Sequence, residues 1–135
     1  MTEMRNSTEL LLAHGISPTY QRLQVLRYLR HHGKHPRAED IHAFMQRRRL
    51  ALSRATVYNV LNLFVQKGLA REIRTPQGLR YDVDTRPHGH FLCRGCGHVE
   101  DIPASCCPLH LGEALAGFQV HLQELLYQGL CPACQ

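Results

Sequence analysis

Apolar positions recur at helical spacing through the first part of the chain and then switch to alternation. Thr8 to His14 reads as a short helix ended by Gly15. Ser17-Pro18 predicts a second helix, with Ser as N-cap and Pro at the first helical position. Leu23, Leu26, Leu29 and Arg30 carry its spacing, and Gly33 stops it. A third helix is expected from about Ala38 to Arg48, with Ile41, Phe44 and Met45 on one face. Arg47-Arg48-Arg49 reads as its solvated end, with phosphate contact as the alternative. Ser53 caps a fourth helix running to about Lys67, and Gly68 ends it. Two alternating runs, Ala70 to Arg74 and Leu79 to Val83, joined by Thr75-Pro76-Gln77-Gly78, predict a β-hairpin. Helices followed by a hairpin make a winged helix-turn-helix domain over residues 1–83.

Residues 84–87, Asp84-Thr85-Arg86-Pro87, read as a hinge. Residues 88–135 are expected to form a small α/β domain of short strands, a helix near Leu109 to Ala116 and a strand from Phe118 to about Tyr127. The fold class is therefore α+β, a winged helix followed by a smaller domain. There is no internal repeat and no low-complexity segment.

The fourth helix, SRATVYNVLNLFVQKG, has two distinct faces. Val57, Val60, Leu61 and Phe64 fall on one arc of about 100°. Arg54, Tyr58 and Asn62 share another, with Asn59 beside them. Arg and Asn can hydrogen-bond base edges, and an aromatic ring can contact a thymine methyl. Taken alone the pattern also fits an ordinary amphipathic surface helix; the preceding helix and following hairpin favour DNA.

Charge sharpens the division. Net charge is +5 over 135 residues. Residues 1–82 hold 14 Lys/Arg against 6 Asp/Glu, and residues 83–135 hold 2 against 5, so the halves are +8 and −3. The basic half suits a polyanion, or is simply a solvated surface. Hydrophobic residues make up 44% of the chain, enough for folded cores, yet no apolar run approaches the roughly 20 residues that span a bilayer. The N-terminus lacks the apolar stretch of a signal peptide, so the chain is expected in the cytoplasm. Thiols there stay reduced, and six patterned cysteines point to metal rather than disulfides.

Cys93-x-x-Cys96 and Cys131-x-x-Cys134 are two chelating pairs. Together they complete a closed tetrahedron around one structural zinc; a redox dithiol is the alternative. The 34 residues between the pairs exceed the spacing of a zinc ribbon, so folded structure must return the second pair to the first. Adjacent Cys106 and Cys107 cannot easily chelate one metal together and read as packed or partly exposed thiols.

The stretch HGHFLCRGCGHVED, His88 to Asp101, retains histidines and acids once its cysteines are given to zinc. His88 and His90 point to one face of a strand, and Asp101 follows on a neighbouring one. Asp82 ends the hairpin, and His35 lies in the loop entering the third helix. Imidazoles with carboxylates suit iron(II), manganese(II) or zinc, unless these are five ordinary surface residues.

At these residues the chain resembles the ferric uptake regulator family over nearly its whole length. The resemblance rests jointly on GISPTYQRLQVLRYL, HPRAEDIH, SRATVYNVLNLFVQKGLA, YDVDTRPHGHFLCRGCG and GFQVHLQELLYQGLCPAC. It implies a homodimeric, metal-dependent repressor whose winged helix reads a palindromic operator on double-stranded DNA and whose C-terminal domain dimerises. It implies zinc at Cys93, Cys96, Cys131 and Cys134, and a regulatory iron(II) or manganese(II) at His35, Asp82, His88, His90 and Asp101. Tyr58 matches the family's base-contacting tyrosine. The peroxide-sensing branch is the nearest: it has an aspartate at the position of Asp82, where the iron-sensing branch has glutamate at a slightly different spacing. That branch implies oxidation at His35 and His90. The iron-sensing branch also places an acid between the two histidines, where this chain has Gly89. A further family histidine is replaced by Gln123, with His121 out of register.

Ligands from both sides of the hinge would let one metal fix the angle between the halves. In a dimer this sets the separation of two recognition helices, which must match successive major-groove faces. Three further readings stay open: a metal-level sensor of the same family, a metal-independent DNA-binding factor and a small metalloenzyme. No separate catalytic base or cofactor motif supports the last.

Overall fold

A computed structural model describes residues 2–103, 105 and 113–135. The chain divides into two compact units, Met1–Thr85 and Arg86–Gln135.

The first unit contains α1 (Thr2–Ala13), α2 (Tyr20–His31), α3 (Ala38–Arg47), α4 (Arg54–Gln66), β1 (Arg71–Thr75) and β2 (Gly78–Asp82). Four helices occur in the expected order, with two starts displaced: α1 begins at Thr2, six residues before the expected Thr8, and α2 begins later than expected. Its N-cap is Thr19, not Ser17: Thr19 Oγ1 accepts the Arg22 amide at 3.3 Å. The Ser17 carbonyl instead accepts the Arg22 guanidinium at 2.8 Å, so the Ser-Pro pair lies before the helix. Ser53 does cap α4, accepting the Thr56 amide at 3.1 Å.

Leu11, Val25, Leu26, Ile41, Val57, Leu61 and Phe64 are fully buried and form one core with Met45 and Tyr81. Each of the four helices contributes a stripe to it, which is why none needs to be stable alone. The wing is an antiparallel hairpin in which Ile73 faces Arg80 and Thr75 faces Gly78. Its turn is closed by Thr75, whose hydroxyl donates to the Gly78 carbonyl at 2.7 Å and accepts the Gln77 amide at 3.2 Å. The wing is tied to the loop before α3: the Tyr81 amide donates to the Pro36 carbonyl at 2.9 Å, and Arg80 donates to the His35 carbonyl at 3.1 Å.

The second unit contains β3 (His88–Cys93), β4 (Val99–Pro103), β5 (Leu126–Gly129) and a 3-10 turn, Pro132–Cys134. The strand order is β4-β3-β5, antiparallel on one side of β3 and parallel on the other. Its buried hydrophobic residues, among those described, are Leu92, Cys93 and Val99. The expected helix from Leu109 to Ala116 lies largely outside the described residues, and its described end, 113–116, forms a turn. Cys106 and Cys107 also lie outside them.

The expected strand from Phe118 to Tyr127 needs correction. Only Leu126–Gly129 is a strand, and 118–125 have no regular structure. Alternation favours a strand but cannot supply a ladder; of the expected stretch β3 pairs with Leu126 and Tyr127 alone. Phe118, Val120 and Leu122 consequently remain 71%, 55% and 57% exposed.

Phe64 is fully buried at the centre of the first unit. Phe64→Ala is expected to destabilise that unit by about 3–5 kcal/mol, read as a lower denaturation midpoint of the helical circular dichroism signal.

Candidate metal centres and nucleic-acid interface

Parallel pairing of β5 with β3 places Gly129 opposite Cys93, so the chain leaving β5 brings Cys131 and Cys134 back to the first cysteine pair. One sulfur from each of Cys93, Cys96, Cys131 and Cys134 lies within 4.8 Å of every other. Cys96 and Cys131 sulfurs are 3.8 Å apart. Backbone geometry supports the cluster: Cys93 Sγ accepts the Cys131 amide at 3.3 Å and the Cys96 amide at 3.5 Å.

Those amides, Cys131 first, hold the Cys93 thiol down at about 6. Cys134 is pushed up to about 12 because Cys131, Cys93 and Cys96 crowd its sulfur. Four thiolates cannot coexist at this distance without a cation, and a divalent soft metal relieves the conflict. The donor set, number and spacing fit zinc. Gly95 is needed by the same geometry: a Cβ there would lie 3.0 Å from the Cys134 sulfur. Gly97 turns the knuckle with φ of 76°, a left-handed conformation that side chains disfavour.

The histidines and acids come from both units. In the first unit, His35 Nε2 lies 3.7 Å from Asp82 Oδ2, and both residues are buried. His35 has φ of 54°, an αL conformation that costs on the order of 1–3 kcal/mol outside glycine. The Arg80 bond to its carbonyl and the Tyr81–Pro36 bond hold that conformation. A buried imidazole in this conformation facing a carboxylate makes His35 and Asp82 candidate metal ligands.

In the second unit, His88 and His90 do share one face of β3, and Asp101 of β4 pairs directly with His90. The two Nε2 atoms are 3.1 Å apart. Asp101 Oδ1 lies 3.4 Å from His90 Nε2 and 3.6 Å from His88 Nε2. His88 Nδ1 is 2.6 Å from the Arg86 carbonyl, which can only accept. In the neutral ring the proton therefore sits on Nδ1 and Nε2 offers a lone pair, the arrangement that orients metal-binding histidines. Each donor set suits a divalent first-row cation better than a thiolate-seeking one.

On α4, Val57, Val60, Leu61 and Phe64 are buried, while Arg54, Asn59 and Asn62 are exposed and Tyr58 is half-buried. The helix thus turns its polar side outward. The Tyr58 hydroxyl donates to the carboxylate of Glu39 on α3. Neither Glu39 nor the supporting carbonyl of Arg86 stood out in the sequence, although Glu39 lies inside the motif HPRAEDIH.

The sequence model described as Ferric uptake regulator family matches residues 13–123. This chain belongs to the ferric uptake regulator family. Its members are metal-dependent transcription regulators rather than enzymes in general, and dimeric DNA-binding proteins. The peroxide operon regulator of Bacillus subtilis (strain 168) is 33% identical over 135 residues, covering 98% of this chain and 93% of its own length. The Campylobacter jejuni peroxide stress regulator is similar in structure, with a TM-score of 0.72 at 28% identity, covering 94% of this chain and 95% of that one. The Vibrio cholerae ferric uptake regulator has a TM-score of 0.76 at 26% identity, covering 92% and 98%. Among the described residues, no helix is long and apolar enough to cross a membrane.

Cys96→Ser is expected to give zinc-poor protein that is unstable or monomeric, measured by metal analysis and light scattering. Retention of a stable dimer without zinc would remove the structural role. Gly95→Ala should weaken zinc binding by about 10- to 100-fold, measured by competition with a chromophoric chelator.

Proposed function

We propose that the chain is a homodimeric, cytoplasmic repressor that binds a palindromic operator when a regulatory metal is bound, and that peroxide releases it. The observation that carries this reading is the division of the ligand set. His35 and Asp82 stand ready in one unit, and His88, His90 and Asp101 in the other. A metal shared by both sets would select one arrangement of the units, and hence one spacing of two α4 helices. Domains 1–83 and 88–135 joined by a hinge at 84–87 suit that role.

The exposed alternating residues Phe118, Val120 and Leu122 favour a second copy of the chain as partner. An apolar stripe with strand periodicity is satisfied by pairing across a two-fold axis. On α4, Arg54, Tyr58, Asn59 and Asn62 are the residues assigned to the major groove.

The peroxide reading is supported by Asp82 and by the relatives named for peroxide regulation. When bound, iron(II) supplies one-electron reduction of peroxide, which manganese(II) does not readily provide. His35 and His90 are the imidazoles assigned to take up oxygen, and losing either as a ligand lowers metal affinity and frees the operator. The similarity to the Vibrio cholerae regulator keeps a metal-level sensor as the second reading.

The experiment compares operator affinity of zinc-loaded protein with no added metal, iron(II), manganese(II) or excess zinc, before and after dilute peroxide. Iron-loaded protein should leave DNA and gain an oxygen at His35 or His90 by peptide mass spectrometry; manganese-loaded protein should do neither. Unmodified histidines on an iron form that stays bound identify a metal-level sensor. Oxidation confined to cysteines identifies a thiol switch. Tyr58→Ala should cost about 1–3 kcal/mol of operator binding while leaving metal binding intact.

A further inference from the structure

We infer that Glu39 fixes the polarity of the Tyr58 hydroxyl and so makes Tyr58 a reader of the exocyclic amino group of adenine or cytosine. This rests on the reading of α4 as the helix that enters the major groove.

A tyrosine hydroxyl has one proton to donate and lone pairs to accept with. In this chain the proton goes to Glu39. Glu39 is the second residue of α3, and the neighbouring Asp40 already accepts the Arg37 amide at that helix start, at 2.9 Å. The Glu39 carboxylate is therefore left for Tyr58. Its acidity agrees with the direction of the bond. The Tyr58 hydroxyl, then its own backbone amide, then Arg37 and Arg54 hold it below the usual carboxylate range, so it accepts only. The same bond raises Tyr58, which keeps its proton.

A hydroxyl whose donor is already engaged can only accept from DNA. Adenine N6 and cytosine N4 are the donors on the major-groove edge; guanine O6 and N7, thymine O4 and the phosphates are acceptors. Glu39 thus excludes one set of partners from Tyr58 and retains the other. A carboxylate beside DNA also carries an electrostatic cost. Its presence on an otherwise basic unit, bonded to a residue assigned to base contact, fits a gain in selectivity rather than in affinity.

The test uses full-length protein loaded with zinc and manganese(II), on an operator selected from a random duplex pool. Each adenine is replaced in turn by deoxynebularine, which lacks the N6 amino group, and each cytosine by the 2-pyrimidinone nucleoside, which lacks N4. The parent should show a position in each half-site where losing the amino group weakens binding about fivefold or more. At that position Tyr58→Phe should lose the discrimination, Glu39→Ala should weaken it because the freed hydroxyl can donate as well as accept, and the double variant should match Tyr58→Phe. Glu39→Gln, which retains an accepting oxygen, should restore part of it. Thermal unfolding of Glu39→Ala, followed in parallel, separates loss of selectivity from loss of fold.

Discrimination left undiminished by Glu39→Ala in a folded protein overturns the inference. So does discrimination lost in Glu39→Ala but kept in Tyr58→Phe, because Glu39 would then accept the base amino group itself. If Tyr58→Ala leaves operator preference unchanged, another surface reads the DNA, and the assignment of α4 falls first.

Discussion

The second unit depends on four sulfur atoms being drawn to one point. Among the described residues of this unit the buried hydrophobic ones are Leu92, Cys93 and Val99, which by themselves cannot offset the entropy of ordering about fifty residues of chain. A cation held by thiolates can, because a structural zinc contributes folding free energy directly. Other features of the unit serve that contact. The parallel register of β5 on β3 delivers the second cysteine pair, the missing side chain of Gly95 leaves room for the Cys134 sulfur, and two amides already hold Cys93 near its ionised state. The first unit works on the opposite principle, with a hydrophobic core fed by every helix.

The two units also prepare their histidines differently. His35 is set by backbone conformation: a left-handed residue held from behind by Arg80 and by the Tyr81–Pro36 bond. His88 and His90 are set by strand alternation, which needs no special backbone, and His88 is then oriented through its other ring nitrogen by Arg86. A loop residue requires outside support to present a ring reproducibly; two residues of one strand have it already.

This difference explains what could be read from the sequence. Helices with buried stripes were legible because core packing reinforces local periodicity, as at Val57, Val60, Leu61 and Phe64 of α4. Strand alternation correctly placed His88 and His90 on one face. It misled at Phe118 to Leu125, because alternation states which residues share a face and not whether a neighbouring strand exists. The N-cap of α2 moved from Ser17 to Thr19 because two hydroxyl residues flank one proline, and only geometry decides which takes the amide. Glu39 was invisible as a partner of Tyr58 because they are 19 positions apart on different helices. Periodicity is a property of one element; contacts between elements have no local signature.

The parallel pairing of β3 with β5 has a consequence for the order of folding. Every pair of that ladder, Cys93 with Gly129 among them, joins residues 36 positions apart. Such distant closure is slow compared with assembly of helices whose contacts are mostly local. The first unit can therefore complete its core while the second is still searching. A zinc ion held early by Cys93 and Cys96 would leave only two more sulfurs to be found, so metal supply would bear on the rate of closure as well as on equilibrium.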